Sequence, residues 1–203
     1  MAEAIWKRAD KLIALFELAA ARAEMQGDQV SLKILTANLE EEYGMQAGGQ
    51  ADEAKMHGSL ARKSHHAHAQ RVFGIEPAQF DATPVSAAAA NYILRQRAIY
   101  EDTSYFAVIG ACHVDEKESA GMMEKYYEAF LAPYDSHYAS KQSYDGVAEF
   151  WRAHMEELEA THARDVKRAL LANCTTIEHI NAIKRGCEAL QNKGYCSMAC
   201  WQR

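Results

Sequence analysis

Three residues in the stretch 150–165, FWRAHMEELEATHARD, carry the chemistry of a metal centre: His154, Glu159 and His162. Glu159 and His162 are i, i+3 neighbours on a helix and share a face, so a carboxylate and an imidazole can reach one ion. His154 precedes Glu159 by five residues, about 140° around a regular helix, and joins that face only if the helix carries one extra residue, a π-bulge. Without the bulge, His154 points elsewhere, and the Glu/His pair reads as the solvated face of a charged helix.

Other stretches offer matching donors. Glu42 ends the run Glu40, Glu41, Glu42 just before Gly44. Carboxylates at a helix C-terminus face the negative end of its dipole, which leaves them either solvated or in need of a cation. His57 stands among Met56, Leu60 and Ala61, as a ligand or as a core histidine with its hydrogen bonds met. His65, His66 and His68 follow closely, and as near neighbours pointing in different directions they are read as surface residues. The segment GACHVDE over 110–116 runs from small apolar residues into acids. Gly110 there lets a neighbouring helix or ligand come close. Glu116 and Glu118, about 200° apart around a helix, compete for one inward place. Arg95 and Arg97 are either surface charges or partners for a substrate carboxylate.

These residues must be positioned by helices. Only three prolines interrupt the 203 residues, at 77, 84 and 133, and apolar residues recur with a helical rather than an alternating period, so the chain is expected to be all-α. Helices are expected over 3–25, 29–43 and 51–73. Two more come from the alanine-rich stretch after residue 85, with a break near 102–104. A Tyr- and Ser-rich connection over 133–145 leads to a sixth that ends near 171, and the last, capped by Thr175 or Thr176, covers 177–192. The result is a single-domain bundle of about seven helices over 1–192 with a C-terminal tail, 193–203. In such a bundle a buried site is built from side chains projecting inward.

Composition narrows the function classes. With 25% charged and 49% hydrophobic residues the chain has an ordinary globular balance and enough length for a core without disulfides. A net charge of −6 with no basic stripe argues against a nucleic-acid partner. The first residues, MAEAIWKRADKLIALF, are broken by charges, and no run is apolar enough for a bilayer, so neither a signal peptide nor a membrane partner is expected. Five cysteines is an odd number. Cys112, Cys174 and Cys187 lack metal-type spacing, while Cys196 and Cys200 form a C-x3-C pair that is either a redox pair or an incidental part of the tail. A reduced, cytoplasmic location fits that usage.

Taken in order, the pieces resemble a known family. Asn38-Leu39-Glu40-Glu41-Glu42-Tyr43-Gly44, His57-Gly58-Ser59-Leu60 and Phe73-Gly74-Ile75 look like the N-x3-E-x-G, H-x2-L and LG-type segments of the haem-oxygenase-like diiron oxidases and oxygenases. Relatives of that group include pyrroloquinoline-quinone synthase and thiaminase II. Gly110-x5-Glu116 is similar to its G-x5-E segment, and Glu159-x2-His162 to the second half of its H-x3-D/E-x2-H motif. The resemblance spans about residues 35–172. It implies a haem-oxygenase-like bundle in which Glu42, His57, Glu116, Glu159 and His162 ligate iron, with His154 standing in for the first histidine of the last motif. The chain departs from the pattern in two places: the family has that histidine one position later, where Met155 stands, and the gap from Glu42 to His57 is longer.

The resemblance implies an enzyme that binds two Fe(II) ions and uses dioxygen as co-substrate to oxidise a small metabolite of amino-acid, amine or carboxylic-acid type. Electrons come from that substrate or from an external donor, and self-association into a homodimer is left open. The other reading is metal-independent. It makes the chain an enzyme like thiaminase II or the quinone synthase, or a ligand-binding helical bundle, and Met155 in place of the expected histidine speaks for it.

Overall fold

The computed structural model describes the backbone of residues 2–45, 52, 56–102, 104–155 and 159–199, with side chains over 11–45, 52, 56–101, 104–119, 121–155 and 160–191. Among the described residues there are nine α-helices and no strand, packed as a single bundle: α1 (Ala2–Gln26), α2 (Gln29–Glu42), α3 (His57–Phe73), α4 (Pro77–Ala82), α5 (Ala87–Asp102), α6 (Tyr105–Tyr126), α7 (Lys141–Ala153), α8 (Glu159–Ala172) and α9 (Ile177–Ala199).

Local chemistry sets most of these boundaries. The Asp28 carboxylate accepts from the Val30 and Ser31 amides at 3.1 and 3.0 Å and starts α2, and the Ser104 hydroxyl caps α6 just after the expected break. Thr176 rather than Thr175 accepts from an amide of the last helix, that of His179. The short α4 was not expected. Pro77 opens it, and Glu76 and Gln79 form a reciprocal capping box around its first turn. Pro133 does not end the helical path either, since α6 passes into a π-helical turn (Tyr127–Leu131) and a 3-10 turn (Ala132–His137), and Ser140 then caps α7. The expected connection over 133–145 is correspondingly short. Of the single helix expected up to residue 171, α7, a π-helical winding at 154 and 155, and α8 are described, while 156–158 lie outside the described residues; α9 continues to Ala199, so most of the stretch expected as a tail is helical.

The central element is α6, which lies against α9 and α8 and also touches α1 and α5. Its residues Val108, Ile109, Ala111, Cys112 and Val114 form the main core with Phe16, Leu35, Tyr100, Val166 and Leu190. A second, aromatic core gathers Met123, Tyr126, Leu131, Tyr138, Tyr144 and Trp151. One polar residue ties three helices together. Asp28 also accepts from Ser31, from Tyr105 at the start of α6 and from Asn173 after α8. Burial pushes its carboxyl up, but these bonds outweigh burial and hold it at about 2.

Where α6 and α9 cross, each helix presents a glycine to the other's backbone. A Cβ on Gly110 would overlap the Ile183 carbonyl, and one on Gly186 would overlap the Ala107 carbonyl. The Cys187 thiol donates to the Gly110 carbonyl across the same crossing, at 3.3 Å. Gly110 therefore serves the approach of a helix. Replacing either glycine by alanine must push the two helices apart, and a loss of roughly 3 kcal/mol is expected for each. Gly146 on α7 has open space where its Cβ would stand, so Gly146→Ala is expected to gain about 0.5–1 kcal/mol. Urea unfolding of the three variants checks both signs.

Candidate metal centre

Three residues of α2 spaced i, i+3, i+4 share one face: Asn38, Glu41 and Glu42. Gly44, with φ 60°, turns the chain immediately beyond them. Glu42 Oε1 lies 3.1 Å from Nδ1 of His57, the first residue of α3. From α6, Glu116 enters the same region almost fully buried. The Asn38 amide donates to its Oε1 at 3.3 Å, and its Oε2 lies 3.5 Å from His162 Nδ1. His162, on α8 and also buried, places Nε2 2.8 Å from Glu41 Oε2.

His154 completes the group. The backbone at residues 154 and 155 winds as a π-helix after α7, and His154 is buried, with its ring 4.8 Å from that of His57 in an edge contact. Its Nδ1–H donates to the Phe150 carbonyl at 2.6 Å, which leaves the lone pair on Nε2. His154 follows Val147 and Trp151 on the inward stripe of α7; the turn that joins it to Glu159 lies outside the described residues. Met155 packs on the aromatic core instead.

Five of the residues expected as ligands, Glu42, His57, Glu116, His154 and His162, are thus brought together from α2, α3, α6, the end of α7 and α8. The sixth, Glu159, opens α8, but its side chain lies outside the described residues, as do residues 156–158. Arg95 and Arg97 do not join the group. Both are exposed on α5, and Arg97 pairs with Glu101 one turn on at 2.6 Å. Of the two competing glutamates on α6, Glu116 takes the inward place and Glu118 is half-buried. Among the described residues, no three His, Cys, Asp or Glu side chains stand close enough to hold an ion as they are placed; they meet in carboxylate–imidazole pairs.

Two expectations need correction. His65 and His68 are fully buried, not on the surface, because they share the inward stripe of α3 with Ala61 and Ser64. His65 Nδ1 bonds the Ala61 carbonyl at 2.6 Å and His68 Nδ1 the Tyr138 hydroxyl at 2.7 Å, and among the described residues His65 Nε2 has no hydrogen-bond partner. His66 alone keeps a half-buried place, paired with Asp81. Glu41 and Asn38 were also not singled out, although their spacing from Glu42 is the signal that places them beside it.

Burial and partners divide the titratable groups into two kinds. Burial pushes the imidazoles of His65, His68 and His154 down to about 4, so they are neutral at pH 7. Burial acts on His162 in the same direction, but Glu116 and Glu41 outweigh it and raise that imidazole to about 9. Burial raises Glu116, and His162 offsets part of the rise. A divalent cation would find carboxylate oxygens and a free imidazole lone pair here, and would displace the proton that His162 now holds. The donor set fits such an ion.

No protein-family model matches the chain, and no curated protein does. Among solved structures the chain is similar to a CADD-like protein of unknown function from Nostoc punctiforme, at 18% identity and a TM-score of 0.71, over 94% of this chain and 74% of that one. A second crystal structure of that protein, at 1.35 Å resolution, gives 17% identity and a TM-score of 0.70 over 97% and 74%. At that identity the likeness shows a shared fold.

The titration pattern has a sign. For His65, His68 and His154 the unfolded chain takes up protons as pH falls through 6.5, whereas the native state does so only near 4. Their contribution is complete above 6.5 and is lost between 6.5 and 4. For His162 the contribution is complete below 6.5 and is lost as pH rises through about 9. Protein held in chelator is therefore expected to be most stable near pH 6.5. Urea midpoints across pH 4–9 check this, and His162→Gln should remove the decline between 6.5 and 9 while leaving the acid one.

Proposed function

We propose that this protein is a non-haem diiron oxidase or oxygenase, which uses dioxygen to oxidise a small metabolite of amino-acid, amine or carboxylic-acid type. The reading is carried by the inward position of His154 beside His57, which adds an imidazole lone pair to two glutamates and two histidines drawn from separate helices, with Glu116 and His162 buried among them. Mixed carboxylate and imidazole donors suit iron, and helices projecting them inward are how bundles build two-metal sites. The motif resemblance supports it, and the CADD-like fold agrees with a helical scaffold.

Glu42, His57, Glu116, His154 and His162, with Glu159, would hold two Fe(II) ions, which supply the capacity to activate dioxygen. The chain's own residues do the rest. Asn38 fixes the direction of the Glu116 carboxylate, and the Phe150 carbonyl holds His154 in the tautomer that presents Nε2. Phe150, whose ring lies 4.2 Å from His154, walls the site with aromatic surface and keeps bulk water away from a reactive oxidant. Electrons come from the substrate or from an external donor. Three free thiols, Cys112, Cys174 and Cys187, fit a reduced, cytoplasmic setting, and no helix among the described residues is long and apolar enough to cross a membrane.

Anaerobic ferrous titration tests the reading. Up to two ions per chain are expected, with His162→Ala and Glu116→Ala each lowering the number bound. His154→Ala is expected to weaken one ion by at least about ten-fold, and Met155→His to leave affinity unchanged, because residue 155 faces the aromatic core. Iron near zero in the wild-type chain after anaerobic reconstitution would discard the diiron reading in favour of a metal-independent enzyme or ligand-binding bundle.

A further inference from the structure

His162 lies between two carboxylates of different character. Its Nε2 is 2.8 Å from Oε2 of Glu41, whose side chain is 49% exposed, and its Nδ1 is 3.5 Å from Oε2 of Glu116, which is 8% exposed. A neutral imidazole has one lone pair and one N–H. When the lone pair binds a metal, the N–H on the other nitrogen needs an acceptor, and that acceptor is commonly a carboxylate that fixes the ring and makes it a stronger donor.

The two distances assign these roles differently. At 2.8 Å, Nε2–H and the Glu41 carboxylate form a good charge-assisted hydrogen bond. At 3.5 Å, Nδ1 and Glu116 Oε2 make the longer and weaker contact of the two, so Nδ1 is the nitrogen more readily given up to an ion. Glu116 has its remaining oxygen held by Asn38 inside the bundle. Glu41 sits at the rim, where water can solvate its other oxygen.

We propose that Glu41 is the positioning residue for His162: it accepts the Nε2–H proton, holds the ring, and leaves Nδ1 to bind iron beside Glu116. Adjacent residues of α2 then do different work, with Glu42 directed at His57 as a ligand and Glu41 directed at the outer edge of His162. This rests on the diiron reading and adds to it the atom by which His162 binds and a residue outside the expected ligand set.

The test uses the full chain and two probes. In anaerobic ferrous titrations against a competing chelator, Glu41→Gln and Glu41→Ala should keep the wild-type number of ions but bind one of them about 10- to 100-fold more weakly. Long-range 1H–15N spectra of the wild-type protein loaded with diamagnetic Zn(II) should show His162 protonated at Nε2 and metal-bound at Nδ1, a signature that a purely structural role for Glu41 would not produce. An affinity that is unchanged or tighter without the Glu41 carboxylate, or a His162 bound through Nε2, overturns the proposal while leaving the diiron reading in place. A wild-type chain that takes up no iron overturns both. The spectra need no variant, so poor folding of a Glu41 substitution does not block the test.

Discussion

Two adjacent carboxylates, Asp115 and Glu116, are carried into the interior by the central helix α6, and the cost of burying them constrains its surroundings. An unpaired carboxylate in a protein interior costs several kcal/mol, so each must find polar partners on neighbouring helices. Being about 100° apart around α6, they must find them on different ones. Asp115 takes the Gln96 amide at 2.8 Å and the Tyr100 hydroxyl at 2.7 Å, both from α5. Glu116 takes Asn38 from α2 and His162 from α8. One pair of acids therefore fixes the rotation of α6 relative to three helices, and the glycine crossing with α9 fixes its distance from a fourth.

The position of the site follows from that constraint. Val114 belongs to the main core and Met123 to the aromatic one, with Glu116 between them on α6. On the other wall Trp151 belongs to the aromatic core and Val166 to the main core, with His154 and His162 between them. The polar group thus occupies the seam between two apolar clusters. Helix α7 presents Tyr144, Val147, Ala148 and Trp151 to the aromatic core. His154, three residues after Trp151, continues that stripe and comes in beside His57.

Much of this was legible in the residues. The break before α6, the inward place open to Glu116 and the close approach at Gly110 all follow from spacing and backbone sterics, which are local properties. The acidic end of α2 was legible as a question, since Glu40, Glu41 and Glu42 face an unfavourable dipole. Its answer was not, because the compensating imidazoles come from α3 and α8 and depend on tertiary packing. His65 and His68 were misread for a related reason. Histidines at adjacent positions were weighed as a cluster, whereas residues 65 and 68 are three apart and fall on the buried stripe that Ala61 and Ser64 define. The continuation of α9 to Ala199 leaves little trace in an amphipathic pattern.

The same packing decides what each imidazole can do. His65, His68 and His154 lie among Trp151, Phe130, Phe150 and Tyr138, where aromatic surface offers no compensation for charge, so burial keeps them neutral. His162 is as deeply buried as His154 yet holds a proton, because two carboxylates face it. Depth therefore does not set the charge of a histidine here; the sign of the nearest fixed charges does. A cation placed in the seam would act on both kinds in one direction. It would take the lone pair that His154 already offers and expel the proton that His162 holds, so the carboxylates that now neutralise an imidazolium would neutralise the ion instead. The net charge of the buried group then changes less than the ion's own charge suggests, which lets one constellation be stable both with and without a metal.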